Sequence, residues 1–179
     1  MENLNRVSIR LISETPLLSE EFLTTPQKAN EVVGDYIRDM DRETLCVVNY
    51  NSKLQPINFS VVSIGAVNQT VAVPREILKT AILSNATSIG ILHNHPSGDL
   101  TPSKQDIMLT DRLIRACDLM GINLVDHIIV GPKTHNYYSL REKRTCDFCN
   151  YPKYTENIEF LNFKNTSGNR VAEREVNIR

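Results

Sequence analysis

Two histidines stand two residues apart in His93-Asn94-His95-Pro96, and a carboxylate, Asp106, follows after ten intervening residues. Two imidazoles and one carboxylate are the donor set of a catalytic zinc site that keeps its fourth position open. On a strand, alternate side chains share a face, so His93 and His95 would point the same way, roughly 7 Å apart at the backbone. Pro96-Ser97-Gly98 then breaks the strand, and the chain returns to a helix start near Pro102-Ser103. Asp106 is in helical register with Leu109, Leu113 and Ala116, so its carboxylate should face the interior. An inward carboxylate without a partner is costly, and a metal ion removes that cost.

Each of these residues has a plainer use alone. Ser103-x-x-Asp106 ahead of an apolar run is also the pattern of a capping box, with Asp standing in for Glu. A single His at a strand end is more often a hydrogen-bonded loop residue than a ligand. Requiring all three together makes those readings independent coincidences, which favours the metal. Zinc chemistry also needs a general base outside the ligand set. Glu76 opens a helix, where the macrodipole already accounts for a carboxylate. Glu43 falls between a helix end and a buried strand, where the dipole asks for none, and is the better candidate. His127 reads either as a partner for the second nitrogen of a ligand histidine or as a hydrogen-bonded core residue. His135 sits in a turn, solvated. Cys146-x-x-Cys149 has no second ligand pair downstream, which argues against a structural zinc within one chain. Nor does a thioredoxin-like context support a redox role.

The elements that must position these groups are legible in outline. Val7 to Ile12 alternates like a short strand. Thr25 is placed to cap a helix with Pro26 at its first position, and Ala29, Val32, Val33, Tyr36, Ile37 and Met40 recur at helical spacing. The run from Thr44 to Val48 and the segment through Ile57, Phe59, Val61 and Ile64 read as a hairpin, with Asn49 to Lys53 as its turn. Pro74 opens a second helix with Ile77, Leu78, Ala81 and Ile82 on one side. Ile89 to Leu92 is a buried strand that runs into His93. A third helix starts near Pro102 or Ser103 and ends at Gly121. Ile122 to Val130 is another strand, and Tyr137 to Leu140 a further short one. Strands and helices alternate irregularly around one hairpin, which predicts a mixed α/β sandwich rather than a doubly wound parallel sheet. Residues 1–24 form an N-terminal extension, 25–142 the domain, and 143–179 a polar, aperiodic tail, poorly ordered or docked on a partner.

The chain has 179 residues, 41% apolar and 23% charged, with a net charge of −1. That allows one domain with a real core and lacks the strongly basic surface of a dedicated nucleic-acid binder. Arg141-Glu142-Lys143-Arg144 is the densest basic stretch, read as a solvated edge. No apolar run approaches the ~20 residues of a membrane span, and residues 1–10 have no signal-peptide core, so the expected location is cytoplasmic. Cys46 and Cys117 lie in apolar stretches and read as small core residues.

Taken together, Glu43, His93-Asn94-His95-Pro96 and Ser103-x-x-Asp106 resemble the JAMM motif of the MPN/JAB metalloprotease superfamily. The finer wording resembles its bacterial RadC branch. It is carried by Arg42-Glu43, Val73-Pro74-Arg75-Glu76, His93-Asn94-His95-Pro96-Ser97-Gly98, Pro102-Ser103 and the run from Gly121 to Gly131, over about Thr25 to Leu140. The resemblance implies a cytidine-deaminase-like α/β sandwich with a mixed sheet and zinc on His93, His95 and Asp106. It implies that Glu43 takes a proton from the zinc-bound water and that the Ser103 hydroxyl steadies the oxyanion, as donors generally do. The Ser103 role need not conflict with capping: Ser103 could do both, or Thr101 could be the cap. The implied reaction is amide hydrolysis, often of an isopeptide bond, on a protein or peptide substrate. RadC proteins usually carry an N-terminal helix-hairpin-helix-like region, whereas some 24 residues precede the similar part here. A DNA partner therefore gets little support beyond the branch name. A non-enzymatic DNA-processing module and a metal-dependent nuclease are the alternatives.

Overall fold

The computed structural model describes Ser8 and residues 10–14, 25–65, 73–146 and 148. Among the described residues five strands, β1 (Thr44–Tyr50), β2 (Pro56–Ile64), β3 (Ser88–Asn94), β4 (Asn123–Val130) and β5 (Tyr137–Ser139), form one sheet in the order β2-β1-β3-β4-β5. β3 and β4 run parallel, and every other neighbouring pair is antiparallel. The topology follows from the connections: a short turn joins β1 to β2, while the parallel pair needs a crossover, which α4 (Lys104–Leu119) supplies. The architecture is thus the mixed α/β sandwich expected. In the Val7–Ile12 segment, Ser8 and Arg10 to Ile12 form no strand, and Val7 and Ile9 lie outside the described residues.

Both faces of the sheet are covered. Leu45 and Val47 of β1 and Ile89 and Ile91 of β3 face a cluster built with α3 (Pro74–Leu83) and α4. Cys46, Val48 and Tyr50 face the opposite cluster, with Ala29, Val33 and Ile37 of the N-terminal helix. All seven residues of β1 and of β3 are buried, as befits central strands with helices on both sides. Burial pushes the thiols of Cys46 and Cys117 up to about 12, so both stay protonated core residues.

Thr25 caps the N-terminal helix, its hydroxyl accepting from the Lys28 amide at 3.2 Å. The helix begins as α1 (Pro26–Ala29), widens into a π-helical turn (Asn30–Gly34) and resumes as α2 (Asp35–Ile37). The wider turn changes the buried face. Ala29, Val33 and Ile37, and beside them Asn30, Gly34 and Arg38, recur every four residues. Tyr36, expected on the buried face, is 43% exposed and meets Phe59 edge-on instead, with ring centroids 5.5 Å apart. Ile82 of α3 is also exposed, because it lies one position past Ala81 at the helix rim. α4 ends as its sequence suggests: Gly121 takes the left-handed φ of 67°, and the Ile122 amide returns to the Cys117 carbonyl at 2.9 Å. Residues 141–144 are exposed. Beyond them, Cys146 and Phe148 pack against the α3–α4 side of the core. Among the described residues, no helix is long and apolar enough to cross a membrane.

Candidate metal centre

β3 delivers His93 at its last turn of pleat and hands the chain to His95 just beyond Asn94. The His95 amide continues the ladder to the Val130 carbonyl at 2.8 Å, so both imidazoles emerge on the α4 side. Asp106 comes from the first turn of α4. The donor atoms of His93, His95 and Asp106 all lie within 4.8 Å of one another, a set that could hold a metal ion. The two Nε2 atoms are 2.9 Å apart. Asp106 Oδ1 is 3.2 Å from His93 Nε2, and Oδ2 is 3.6 Å from His95 Nε2. The histidines are buried, while the Asp106 side chain retains 15% exposure and Ser103 is exposed, so solvent reaches the cluster from the start of α4.

The outer nitrogens settle what the inner ones are. His95 Nδ1 lies 2.6 Å from the Asp99 carbonyl, which can only accept, so Nδ1 carries the hydrogen. In neutral His95, Nε2 is then a bare lone pair aimed at His93 Nε2 and the Asp106 carboxylate. His95 Nε2 and the Asp106 carboxylate, acceptors facing one another, call for a proton or a cation between them, and with His93 Nε2 beside them a divalent ion suits the two imidazoles and the carboxylate. The same demand shows electrostatically. Burial works against the charged form of His95, but the hydrogen bonds to Asp106 and the Asp99 carbonyl, with the charges of Asp106 and Glu43, outweigh it and raise its pKa. Burial also works against charge on Asp106, yet its contacts with His93 and His95 and its hydrogen bond with Ser103 hold it well below the usual carboxylate range.

Ser103 and Asp106 form a full capping box. The Asp106 amide donates to Ser103 Oγ at 3.2 Å, and the Ser103 amide donates to Asp106 Oδ2 at 2.7 Å. Capping and metal geometry therefore coexist in one carboxylate. Thr101 is not the cap; its amide donates to Asp99 Oδ1. Glu43 immediately precedes β1, and its charge acts on His95. Leu45 pairs with His93 across β1 and β3, and continuing that antiparallel register brings Glu43 opposite His95. Asn94, fully buried between the two histidines, fixes this junction. Its Oδ1 accepts from the Thr44 amide at 2.7 Å, and its Nδ2 donates to the Met40 carbonyl at 3.1 Å. Glu76 lies apart, on the exposed start of α3, paired with Arg75 and Lys79.

His127 proves to be a neighbour of the cluster. Its Nε2 lies 2.8 Å from His93 Nδ1 and its Nδ1 2.6 Å from the Thr110 hydroxyl. Burial holds the pKa of His127 well below the ordinary histidine value, so the ring is neutral. The sequence reading passed over Asn94 and Thr110. Asn94 sits inside the His-x-His motif as a polar residue on a buried strand, which is a usable signal; Thr110 is one turn past Asp106, which signals only in hindsight. Asp126 is structural, taking the His127 and Arg141 amides at 2.7 and 3.1 Å and the Ser139 hydroxyl at 2.6 Å. His135 is exposed, 3.3 Å from Asp35. Cys146 carries a free thiol, and Cys149 lies outside the described residues.

Known proteins resemble this chain over most of its length. The family model for the RadC-like JAB domain matches residues 23–145. A UPF0758 protein of Desulforamulus reducens is 40% identical over 134 residues, covering 75% of this chain and 58% of that protein. One from Moorella thermoacetica is 40% identical over 126 residues, 70% of this chain and 54% of its own length. One from Streptococcus sanguinis is 38% identical over 134 residues, 75% and 58% respectively. The chain spans little more than half the length of these relatives. It belongs to the RadC-like JAB domain family.

Proposed function

We propose that this chain is a zinc-dependent hydrolase of amide bonds, peptide or isopeptide, working in the cytoplasm. The observation that carries the reading is the meeting of His93, His95 and Asp106, whose metal-donor atoms lie within 4.8 Å of one another, with the charge of Glu43 acting on His95. Bound by the three, zinc would supply an activated water at neutral pH. Glu43 would take the proton of that water and pass it to the departing amine, the work of a general base turned acid. Ser103 Oγ accepts from the Asp106 amide, which leaves its own hydrogen for the oxyanion that develops on the former carbonyl. Asn94 would act as a positioning residue, holding the chain around Glu43 against the histidine strand through the Met40 carbonyl and the Thr44 amide.

Metal analysis paired with two variants tests this. Protein purified without chelators should hold about one zinc per chain; His95→Ala should lose it and Glu43→Gln should keep it. Hydrolysis of isopeptide-linked or peptide substrates should fall by ~10²–10⁴-fold in Glu43→Gln, the usual worth of a general base. A metal-free wild-type protein would overturn the hydrolase. Phosphodiester cleavage that survives Glu43→Gln would make the chain a nuclease with another base. DNA binding with a steep salt slope and no hydrolysis would make it an accessory module.

A further inference from the structure

A hydrogen-bonded chain runs from the backbone of α4 back into the metal cluster. The Thr110 hydroxyl donates to the carbonyl of Asp106, four residues earlier, at 2.6 Å, the usual bond of a helical threonine. Its only hydrogen is thereby committed. Toward His127 Nδ1, 2.6 Å away, Thr110 can offer only a lone pair, so Nδ1 of His127 carries the hydrogen. His127 is fully buried, with the Thr110 hydroxyl and the His93 ring as its side-chain partners and, among the described residues, no carboxylate against it to hold a second hydrogen, so its Nε2 is bare. That bare nitrogen faces His93 Nδ1 at 2.8 Å and must accept from it. His93 therefore carries its hydrogen on Nδ1 and presents a bare Nε2 to His95 and Asp106.

Resting on the metal-binding reading of the same cluster, we propose that Thr110 and His127 are positioning residues that lock His93 in the Nδ1–H tautomer, so that its Nε2 is a ready-made metal donor. The lock begins at the backbone carbonyl of Asp106, another donor of the cluster. One turn of α4 thus supplies a carboxylate to the ion and, by way of two further side chains, sets the nitrogen that will share it. His95 gets the same tautomer from the Asp99 carbonyl alone. The two histidines are therefore prepared by different routes, one through the adjacent loop and one through a neighbouring strand and helix.

Long-range proton–nitrogen NMR on the full chain with nitrogen-15 histidine, stripped of metal, reads the tautomers directly. His93 and His127 should both show Nδ1–H; Nε2–H at His93 in the wild-type protein overturns the proposal. In Thr110→Val, which keeps the shape and removes the lone pair, His127 should switch to Nε2–H and drive His93 to the same form. Zinc affinity should then fall ~10–100-fold, the range for lost outer hydrogen bonds to ligand histidines. Thr110→Ser should restore both tautomers and the affinity. Unchanged tautomers and affinity in Thr110→Val would also overturn the lock. If Thr110→Val does not fold, the wild-type spectrum decides by itself. If wild-type protein binds no zinc while its metal-free spectrum shows both Nδ1–H rings, the metal reading has failed and the lock has not.

Discussion

Two buried polar clusters flank this sheet, and they are built in opposite senses. On the N-terminal helix side, the Arg38 guanidinium donates to the carbonyls of Gly131, Thr134 and Asn30, to Asn30 Oδ1 and to the Asp35 carboxylate. Donors there meet acceptors, and the cluster is complete within the protein. On the α4 side, His93 Nε2, His95 Nε2 and Asp106 bring acceptors together. Every outward group of this second cluster is satisfied, by Asp99, His127 and Ser103, while the inward atoms are left to one another. A closed polar cluster pins a loop; an acceptor-rich one asks for a cation. Burial alone would not have separated them, because Arg38, His93 and His95 are all buried.

Breaking each cluster should therefore produce opposite phenotypes. The largest effect is expected for His95→Ala. Metal content should drop from about one ion to none and hydrolysis should vanish, while the melting temperature stays close to that of chelated wild-type protein. If zinc stoichiometry survives, the acceptor cluster is not the metal site. Next comes Arg38→Met, which strands several carbonyls and should cost about 3 kcal/mol in urea unfolding, with metal stoichiometry of the folded protein unchanged. A smaller effect is expected for Asn94→Ala, about 1–2 kcal/mol, with zinc retained and turnover reduced as the chain around Glu43 loosens; full activity would remove Asn94 from the positioning scheme.

The smallest effect is a pH dependence. His95 has a raised pKa, so its contribution to the metal-free fold is complete below its unfolded value of about 6.5 and fades as pH rises through the folded value. Asp106 has a lowered one, so its contribution is present above its unfolded value of about 3.8 and fades only as pH falls below that. The cluster thus steadies chelated protein most between about pH 4 and 6.5. An ion displaces the proton that serves there, so the melting-temperature gap between zinc-loaded and chelated protein should widen from pH 5.5 to pH 8. A gap that narrows would contradict the acceptor-cluster picture.

The sandwich, its hairpin and the convergence of His93, His95 and Asp106 were legible because they follow local rules: period two on a strand, period 3.6 on a helix, and a capping side chain or a proline at each helix start. Ser103-x-x-Asp106 was legible twice over, as a cap and as part of a motif. What escaped, Thr110 and the choice between the two readings of His127, depends on the order of strands. Thr110 and His127 are 17 residues apart, and His93 and His127 are 34 apart; only the parallel pairing of β3 with β4, with α4 crossing over them, brings the three together. The π-helical turn escaped for another reason. No residue between Asn30 and Gly34 forbids an ordinary helix. The extra width pays off only in three dimensions, where Gly34 lets the helix approach Val130 and Asn30 meets Arg38. An added Cβ at Gly34 would sit 2.6 Å from Asn30 Oδ1.

The capping box at Ser103 and Asp106 has a bearing on how this protein matures. A carboxylate already bonded to the first turn of a long helix completes that helix with or without an ion. If the cluster takes up a metal as proposed, folding of the chain and loading of the ion would be separate events, in contrast to small zinc domains that are unfolded until the ion arrives. Such a chain would wait, folded, for an ion and could exchange it later. Which metal occupies it would be decided by the supply around the finished protein as well as by the preferences of its three donors.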